Sequence, residues 1–478
     1  MNIGIIIFIL LWVLFIEGLL FLIPAVTALI YNEPVGWCYL AMFGVSVIVG
    51  YLGTRKKPKK QELFAREGFV IVALSWILIS VVGAVPLWLT GEIPSYINAL
   101  FEVISGFTTT GATIVGDVEA LSHAALMWRA LTHWIGGMGV LVFMISILPL
   151  AGANNMHILK AESPGPSVEK LVPRVKNTAK ILYKIYIAIT VLQIICLLLA
   201  KMDLFSAITL SIATAGTGGF GILNSSVGDY TMAQQIIITV FMILFGVNFG
   251  AYFLILHKKP KQGLLMEEVR WYFIIIFVSA TFIAWNIRES FSNIFESFQT
   301  AIFQVGSIIT TTGFSTVDFD LWPTPSKTIL VMLMFIGACA GSTGGGIKVS
   351  RILVMFKSVK KEIKCYLHPK TIKKLHMDGK SIEHEVLRSI NVFIMCYIFI
   401  FVISLFIVSL NNRDLVTNFT AIAATFNNIG PGLAGVGPTC TFDDFSVLSK
   451  LVMMFDMLAG RLEIFPMLIL FSPNTWRD

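Results

Sequence analysis

Charge is what this chain has least of. Only 13% of its 478 residues are Asp, Glu, Lys or Arg, while 56% are hydrophobic, too greasy a balance for a soluble protein of this length. Cysteine chemistry is lacking too. Cys38, Cys196, Cys339, Cys365, Cys396 and Cys440 form no C-x-x-C pair, which argues against a disulfide framework or a metal site and leaves them as small core residues. Catalytic signatures are missing as well. His384-Glu385 has no second histidine at zinc-protease spacing, and no nucleophile–base pair stands out, so nothing supports an intramembrane enzyme. His123 and His133 flank the start of an apolar run and read as packed hydrogen-bonding residues. No basic n-region precedes the first apolar run, and a second run follows at once; a retained anchor is expected rather than a signal peptide.

Apolar runs are abundant. Crossing a hydrocarbon core of about 30 Å takes about 20 residues, and spans are expected near 3–31, 36–53, 69–91, 126–150, 180–200, 231–256, 271–287, 326–356, 388–410 and 446–471. The connections between them alternate in charge. Residues 54–66, 151–184, 257–270 and 348–388 hold 27 of the 35 Lys and Arg. The other connections carry Glu33, Glu92, Asp117, Glu119, Asp203, Asp229, Glu289, Asp318, Asp320, Asp414, Asp443 and Asp444. The positive-inside rule makes the basic connections cytoplasmic, and ten spans then put both termini on that side. The basic runs read as topology signals and contacts for headgroups or a cytosolic partner, not as a nucleic-acid surface. The acidic outer face would concentrate cations there.

Between the spans a glycine-centred element recurs: Thr109-Thr110-Gly111-Ala112, Thr217-Gly218-Gly219-Phe220, Thr311-Thr312-Gly313-Phe314 and Asn428-Ile429-Gly430-Pro431. Gly219 rather than Gly218 is aligned because Gly219-Phe220 then matches Gly313-Phe314. The glycines lie 108, 94 and 117 residues apart, one membrane hairpin per repeat. Residues 95–107, 203–213, 291–309 and 414–426, just before each element, read as short apolar helices. A dozen helical residues span about 18 Å, half a bilayer. Each short helix would enter from outside, stop at mid-depth and return as extended backbone, which is tolerated there only where it is buried or lines a water-filled path. Four such loops around one axis can offer carbonyl and hydroxyl oxygens to a dehydrating cation. The short helices aim their partly negative C-termini at the centre. The expected fold is an all-α polytopic membrane protein with four span–pore loop–span repeats around a central ion pore. Two N-terminal helices occupy 1–66, and the repeats 67–177, 178–266, 267–385 and 386–478.

The eighth span is interrupted by Gly341-Ser342-Thr343-Gly344-Gly345-Gly346-Ile347-Lys348. A continuous helix is disfavoured there, since each Gly costs about 1 kcal/mol relative to Ala. A phosphate-binding loop is excluded because Ile347 follows Gly346 and no strand precedes the run. A flexible polar linker at mid-depth faces a cavity, and both a gate and a kink for close helix packing remain open. Arg461 lies inside the last span with Met457, Leu458, Ile464 and Phe465 as its helical neighbours, and Glu463 falls off its face. A charge at that depth faces a water path or pairs across to another span.

At TTTGAT (108–113), TTTGFST (310–316), AGSTGGGIKVSRI (340–352), NNIGPG (427–432) and GRLEIFPMLILF (460–471) the chain resembles the Trk/Ktr/HKT potassium transporter superfamily, most closely its TrkH subunits. The second element, TAGTGGFG, is less typical of that family. The resemblance implies potassium as the transported ion and no bound organic cofactor. It implies that the four elements are a potassium filter, and that four glycines, where sodium-selective plant relatives carry a serine at the first, favour potassium. It makes 340–348 an intramembrane gate and sends Arg461 into the pore beneath the filter. It further implies a homodimer in the bacterial inner membrane and a cytosolic TrkA-like nucleotide-binding subunit, for which the basic loops at 151–184 and 348–388 are docking candidates alongside anionic lipid. Two rival readings stand beside it: a sodium- or proton-coupled symporter with broken helices, and a sensor or scaffold, which leaves the four elements unexplained.

Overall fold

The computed structural model describes residues 1–56, 58, 65–137, 139, 175–368 and 374–476. The second half of the expected span at 126–150 and most of the basic connection at 151–184 lie outside the described residues. Helices dominate: α1 (Ile3–Leu20), α2 (Leu22–Ile30), α3 (Gly36–Thr54), α4 (Ala65–Leu89), α5 (Tyr96–Phe107), α6 (His123–Gly137), α7 (Val175–Leu199), α8 (Leu204–Gly216), α9 (Met232–Phe245), α10 (Phe249–Leu256), α11 (Pro260–Leu264), α12 (Glu267–Ile287), α13 (Ile294–Ile309), α14 (Thr324–Ile336), α15 (Val349–Leu367), α16 (His384–Ser409), α17 (Leu415–Phe426), α18 (Val447–Arg461) and α19 (Phe465–Phe471). A two-residue hairpin pairs His376 with Ser381.

The four half-length helices are α5, α8, α13 and α17, of 12, 13, 16 and 12 residues. Three start on a side-chain cap. Asp203, Asn293 and Asp414 accept from the amides of Ser206, Glu296 and Thr417, satisfying donors that a helix start leaves open. The Thr417 hydroxyl and amide hold the Asp414 carboxyl below its usual range. Each short helix packs between the two spans of its own repeat: α4 and α6 around α5, α7 and α9 around α8, α12 and α14 around α13, α16 and α18 around α17. The second span of each repeat also touches the short helix of the next: α6 on α8, α9 on α13, α14 on α17 and α18 back on α5. The ring therefore closes.

Outside it, α12 and α16 expose Phe277, Val278, Phe399 and Phe406, as lipid-facing helices do. The N-terminal pair packs through small residues. A Cβ on Gly50 of α3 would lie 2.7 Å from Phe15 Cβ, and one on Gly18 would lie 2.9 Å from Ser46 Cβ, the close backbone approach by which membrane helices associate.

Among the described residues six helices are long and apolar enough to cross a membrane, or seven if the bent pair α9–α10 counts as one span. Two spans expected as continuous are broken. The segment at 231–256 bends by 89° at Gly246–Asn248, where Asn248 Oδ1 caps α10 through the Gly250 amide at 2.8 Å. The last span stops at Arg461. Glu463 and Ile464 take φ of 59° and 69°, and a new helix, α19, starts at Phe465 with Pro466 in its first turn, so the expected helical neighbours Ile464 and Phe465 lie beyond the helix end. Replacing Gly50 with Leu should separate α1 from α3 and destabilise the N-terminal pair by about 1–3 kcal/mol, read as a lower melting temperature of the detergent-solubilised protein; an unchanged melting temperature would refute the packing argument.

Candidate ion pathway

Each short helix ends identically. Thr109, Thr217, Thr311 and Asn428 take left-handed φ of 55°, 55°, 59° and 56°. Their amides donate to Gly106, Thr214, Ile308 and Thr425, three residues back. The next amides, of Thr110, Gly218, Thr312 and Ile429, donate to Ser105, Ala213, Ser307 and Ala424, five back. This is a Schellman cap with a non-glycine residue in the left-handed position, at about 1–3 kcal/mol of strain each, of the kind that gathers at functional sites. Two residues after each strained position comes a glycine: Gly111, Gly219, Gly313 and Gly430, with φ of 77°, 78°, 84° and 102°. Gly219, not Gly218, therefore holds the equivalent place in the second loop.

The glycines let the loops meet. A Cβ on Gly111 would lie 2.0 Å from Gly218 O, on Gly219 1.9 Å from Thr312 O, on Gly313 2.1 Å from Ile429 O, and on Gly430 2.9 Å from Thr110 O. Every glycine thus touches the same carbonyl of the following loop, and the fourth returns to the first. A cavity of about 90 Å³ lined by all four glycines, Thr113, Asn224 and Ser315 opens on this ring. Thr109 Oγ1 is buried and has no hydrogen-bond partner among the described residues, an available oxygen beside the carbonyls.

The interrupted span lies against the ring. Between α14 and α15 the chain turns through Gly337, Gly341, Gly346 and Lys348, all at positive φ. Gly345 N donates to Thr311 Oγ1 at 2.6 Å, and a Cβ on Gly345 would lie 2.3 Å from Asn427 O. The 246–248 break anchors the loop from the other side. Cys339 N donates to Gly246 O, Phe249 N to Gly341 O, and Thr343 Oγ1 to Phe245 O. Arg461 donates to Thr343 O at 2.8 Å and to the carbonyls of Gly136 and Gly137 at the end of α6. It therefore straps the loop to the first repeat. Lys348 turns its ammonium back onto Gly344 O.

A family model described as a cation transport protein, TrkH, matches residues 39–477. The chain belongs to this family. It is 36% identical to the Trk system potassium uptake protein TrkH of Escherichia coli K12 across 96% of both chains. It is 34% identical to Trk system potassium uptake protein TrkG of the same organism across 95% of both. Its fold superposes on the crystal structure of the potassium transporter TrkH from Vibrio parahaemolyticus with a TM-score of 0.89, at 33% identity over the full length of both. The chain is a membrane protein of this transporter family.

Several supporting residues of the TrkH architecture give no signal in the sequence. Glu268 on α12 is buried, and its Oε1 accepts from Ala340 N at 2.6 Å and Ser350 N at 3.1 Å, pinning both ends of the interrupted loop. Arg351 bonds Glu463 at 2.6 Å and lies 4.2 Å above the Phe393 ring, so Glu463, two residues beyond the strap, pairs with α15. Behind the first loop Glu102 and Arg129 form a buried pair at 2.8 Å. A lone carboxylate or arginine in an apolar helix carries no spacing pattern; only the rule that intramembrane charges find partners flags it. His123 and His133 are packed as the sequence suggests. His123 stacks on Tyr31 and bonds Glu33 at 2.9 Å, and His133 is buried between loops. Replacing Glu268 with Ala leaves two buried amides unpaired and should cost about 2–4 kcal/mol. Glu268→Gln, which keeps the accepting oxygen, should retain most of it; equal melting temperatures for the two variants would refute this role.

Proposed function

We propose that this chain takes up potassium through the ring of four loops, and that the loop at 340–348 is its gate. The observation that carries the reading is the closed set of contacts between each glycine and the carbonyl of the following loop, which holds equivalent carbonyls around one axis. Carbonyls in that arrangement replace a hydration shell, and the C-terminal ends of α5, α8, α13 and α17 favour a cation below them. Thr109, Thr110, Gly111, Thr217, Gly218, Gly219, Thr311, Thr312, Gly313, Asn428, Ile429 and Gly430 would form the filter. Gly341–Gly346 and Lys348 would form the gate.

Beneath the filter, Arg461 adds a fixed positive charge. A cation about 8 Å from it at an effective dielectric near 20 meets about 2 kcal/mol, a slowing of roughly thirtyfold. The gate is joined directly to α15, which carries Lys357, Lys360, Lys361 and Lys364 with exposed Phe356 and Tyr366. That helix suits a lever for a cytosolic TrkA-like nucleotide-binding subunit. We also assign a homodimer in the bacterial inner membrane, both termini cytoplasmic, in keeping with the charge asymmetry of the connections.

Rubidium uptake into liposomes loaded with potassium, with no sodium or proton gradient, tests the function. Uptake competed by external potassium but not by sodium is expected, whereas uptake that appears only with a second ion gradient would show a coupled carrier. Gly313→Ser places a Cβ against Ile429 O and should abolish the potassium preference. Deleting 344–346 removes the contact with Thr311 and should raise basal flux, and Arg461→Gln should raise it further, by up to the roughly thirtyfold electrostatic factor. Unchanged or lower flux from well-folded deletion protein would remove the gate from this account.

A further inference from the structure

The second loop is built differently from its three neighbours. Where they place Thr110, Thr312 and Ile429, it has Gly218. The reason is a side chain from α6: a Cβ on Gly218 would lie 2.2 Å from Cγ and Nδ1 of His133. The first and third loops brace themselves, the Thr108 and Thr110 hydroxyls meeting at 2.8 Å and those of Thr310 and Thr312 at 2.7 Å. The Thr217 hydroxyl only turns back to Gly216 O. With glycine at 216, 218, 219 and 221, the second loop has the least intrinsic stiffness of the four.

Helix α6 supplies what the loop lacks. His133 Nδ1 lies 2.8 Å from Gly106 O, so this nitrogen carries the proton, and Nε2 is left to accept the Phe220 amide at 3.2 Å. One turn away, Arg129 spreads its guanidinium 4.1 Å above the Phe220 ring and donates to Gly221 O at 3.4 Å. Its other nitrogens hold Glu102, which accepts the Thr113 hydroxyl and the Ile114 amide from the first loop. Phe220 is thus gripped between two side chains of one helix, and the first and second loops are tied to the same pair.

We infer that His133 and Arg129 are positioning residues that fix the carbonyls of the second loop and thereby set the preference for potassium over sodium. A ring that ligates a large cation must resist contracting onto a smaller one, and a loop of glycines resists only if something outside it does so. The inference rests on the reading of the four loops as the filter.

The test is rubidium uptake into liposomes by the full chain, with potassium and sodium as competitors, for four variants that purify as monodisperse protein. His133→Asn keeps the donor to Gly106 O and loses the acceptor for Phe220. His133→Gln keeps an acceptor at the Nε2 position. Arg129→Lys keeps the pair with Glu102 and loses the grip on Phe220 and Gly221. Gly313→Ser tests the filter itself. His133→Asn and Arg129→Lys should each lower the potassium-over-sodium preference at least about tenfold while uptake persists, and His133→Gln should stay within about threefold of wild type. If Gly313→Ser loses the preference but His133→Asn and Arg129→Lys keep it, the inference is overturned and the filter stands. If His133→Gln falls as far as His133→Asn, the histidine merely fills space and the inference is again overturned. If Gly313→Ser retains the preference, the filter reading fails and takes the inference with it.

Discussion

A carbonyl oxygen set against a bare glycine Cα, four times around a closed ring, is the contact on which the rest of this structure depends. Peptide groups at mid-membrane depth have no water to turn to. They can stay unpaired there only where they line a path that a hydrated ion can enter. The half-length helices, their strained caps and the glycines two residues beyond them all deliver backbone to that place. The flanking spans surround the short helices because a half-helix cannot hold itself at mid-depth.

The same accounting explains the broken spans. An interruption frees amides and carbonyls that must find partners, and here one interruption satisfies another. The break at 246–248 leaves Phe245 O, Gly246 O and the Phe249 amide open, and residues 339–343 take them up. The Arg461 guanidinium meets carbonyls of the α6 end and of the interrupted loop, where the C-terminal dipole favours a cation. The loop therefore depends on backbone groups from the first two repeats and on single side chains from the third and fourth. Displacing α15 would pull on all of them together.

Much of this was legible in the sequence because it rests on period and spacing. Half-length apolar helices before Thr109, Thr217, Thr311 and Asn428 could be read from hydrophobicity, and the recurring glycines gave the repeats. The alignment of Gly219 followed from the phenylalanine after it. The interruption at 341–348 was visible because glycine runs disfavour helix. What stayed hidden has no periodic signature. The 89° bend at 246–248 sits in a run whose composition is helical throughout, and the break after Arg461 is made by Glu463 and Ile464 in conformations that neither residue type announces. Glu102, Arg129 and Glu268 are isolated letters: the first two pair across 27 residues and Glu268 reaches amides 72 and 82 residues away, so these pairings are a property of the ring, not of any local window. His133 was read as a packed residue, yet nothing in the sequence linked it to Gly218.

Because one chain builds all four loops, the ring differs from an assembly of identical subunits in how it can vary. In a symmetric tetramer any change appears four times at once, and only alterations that all four positions tolerate survive. Here each quadrant is written separately. One quadrant could exchange its own threonine for glycine while a histidine from the neighbouring helix took over the space, and the first and third quadrants kept their hydroxyl pairs. In the proposed filter, asymmetry of this kind would let ion preference drift in small steps, a single ligand at a time.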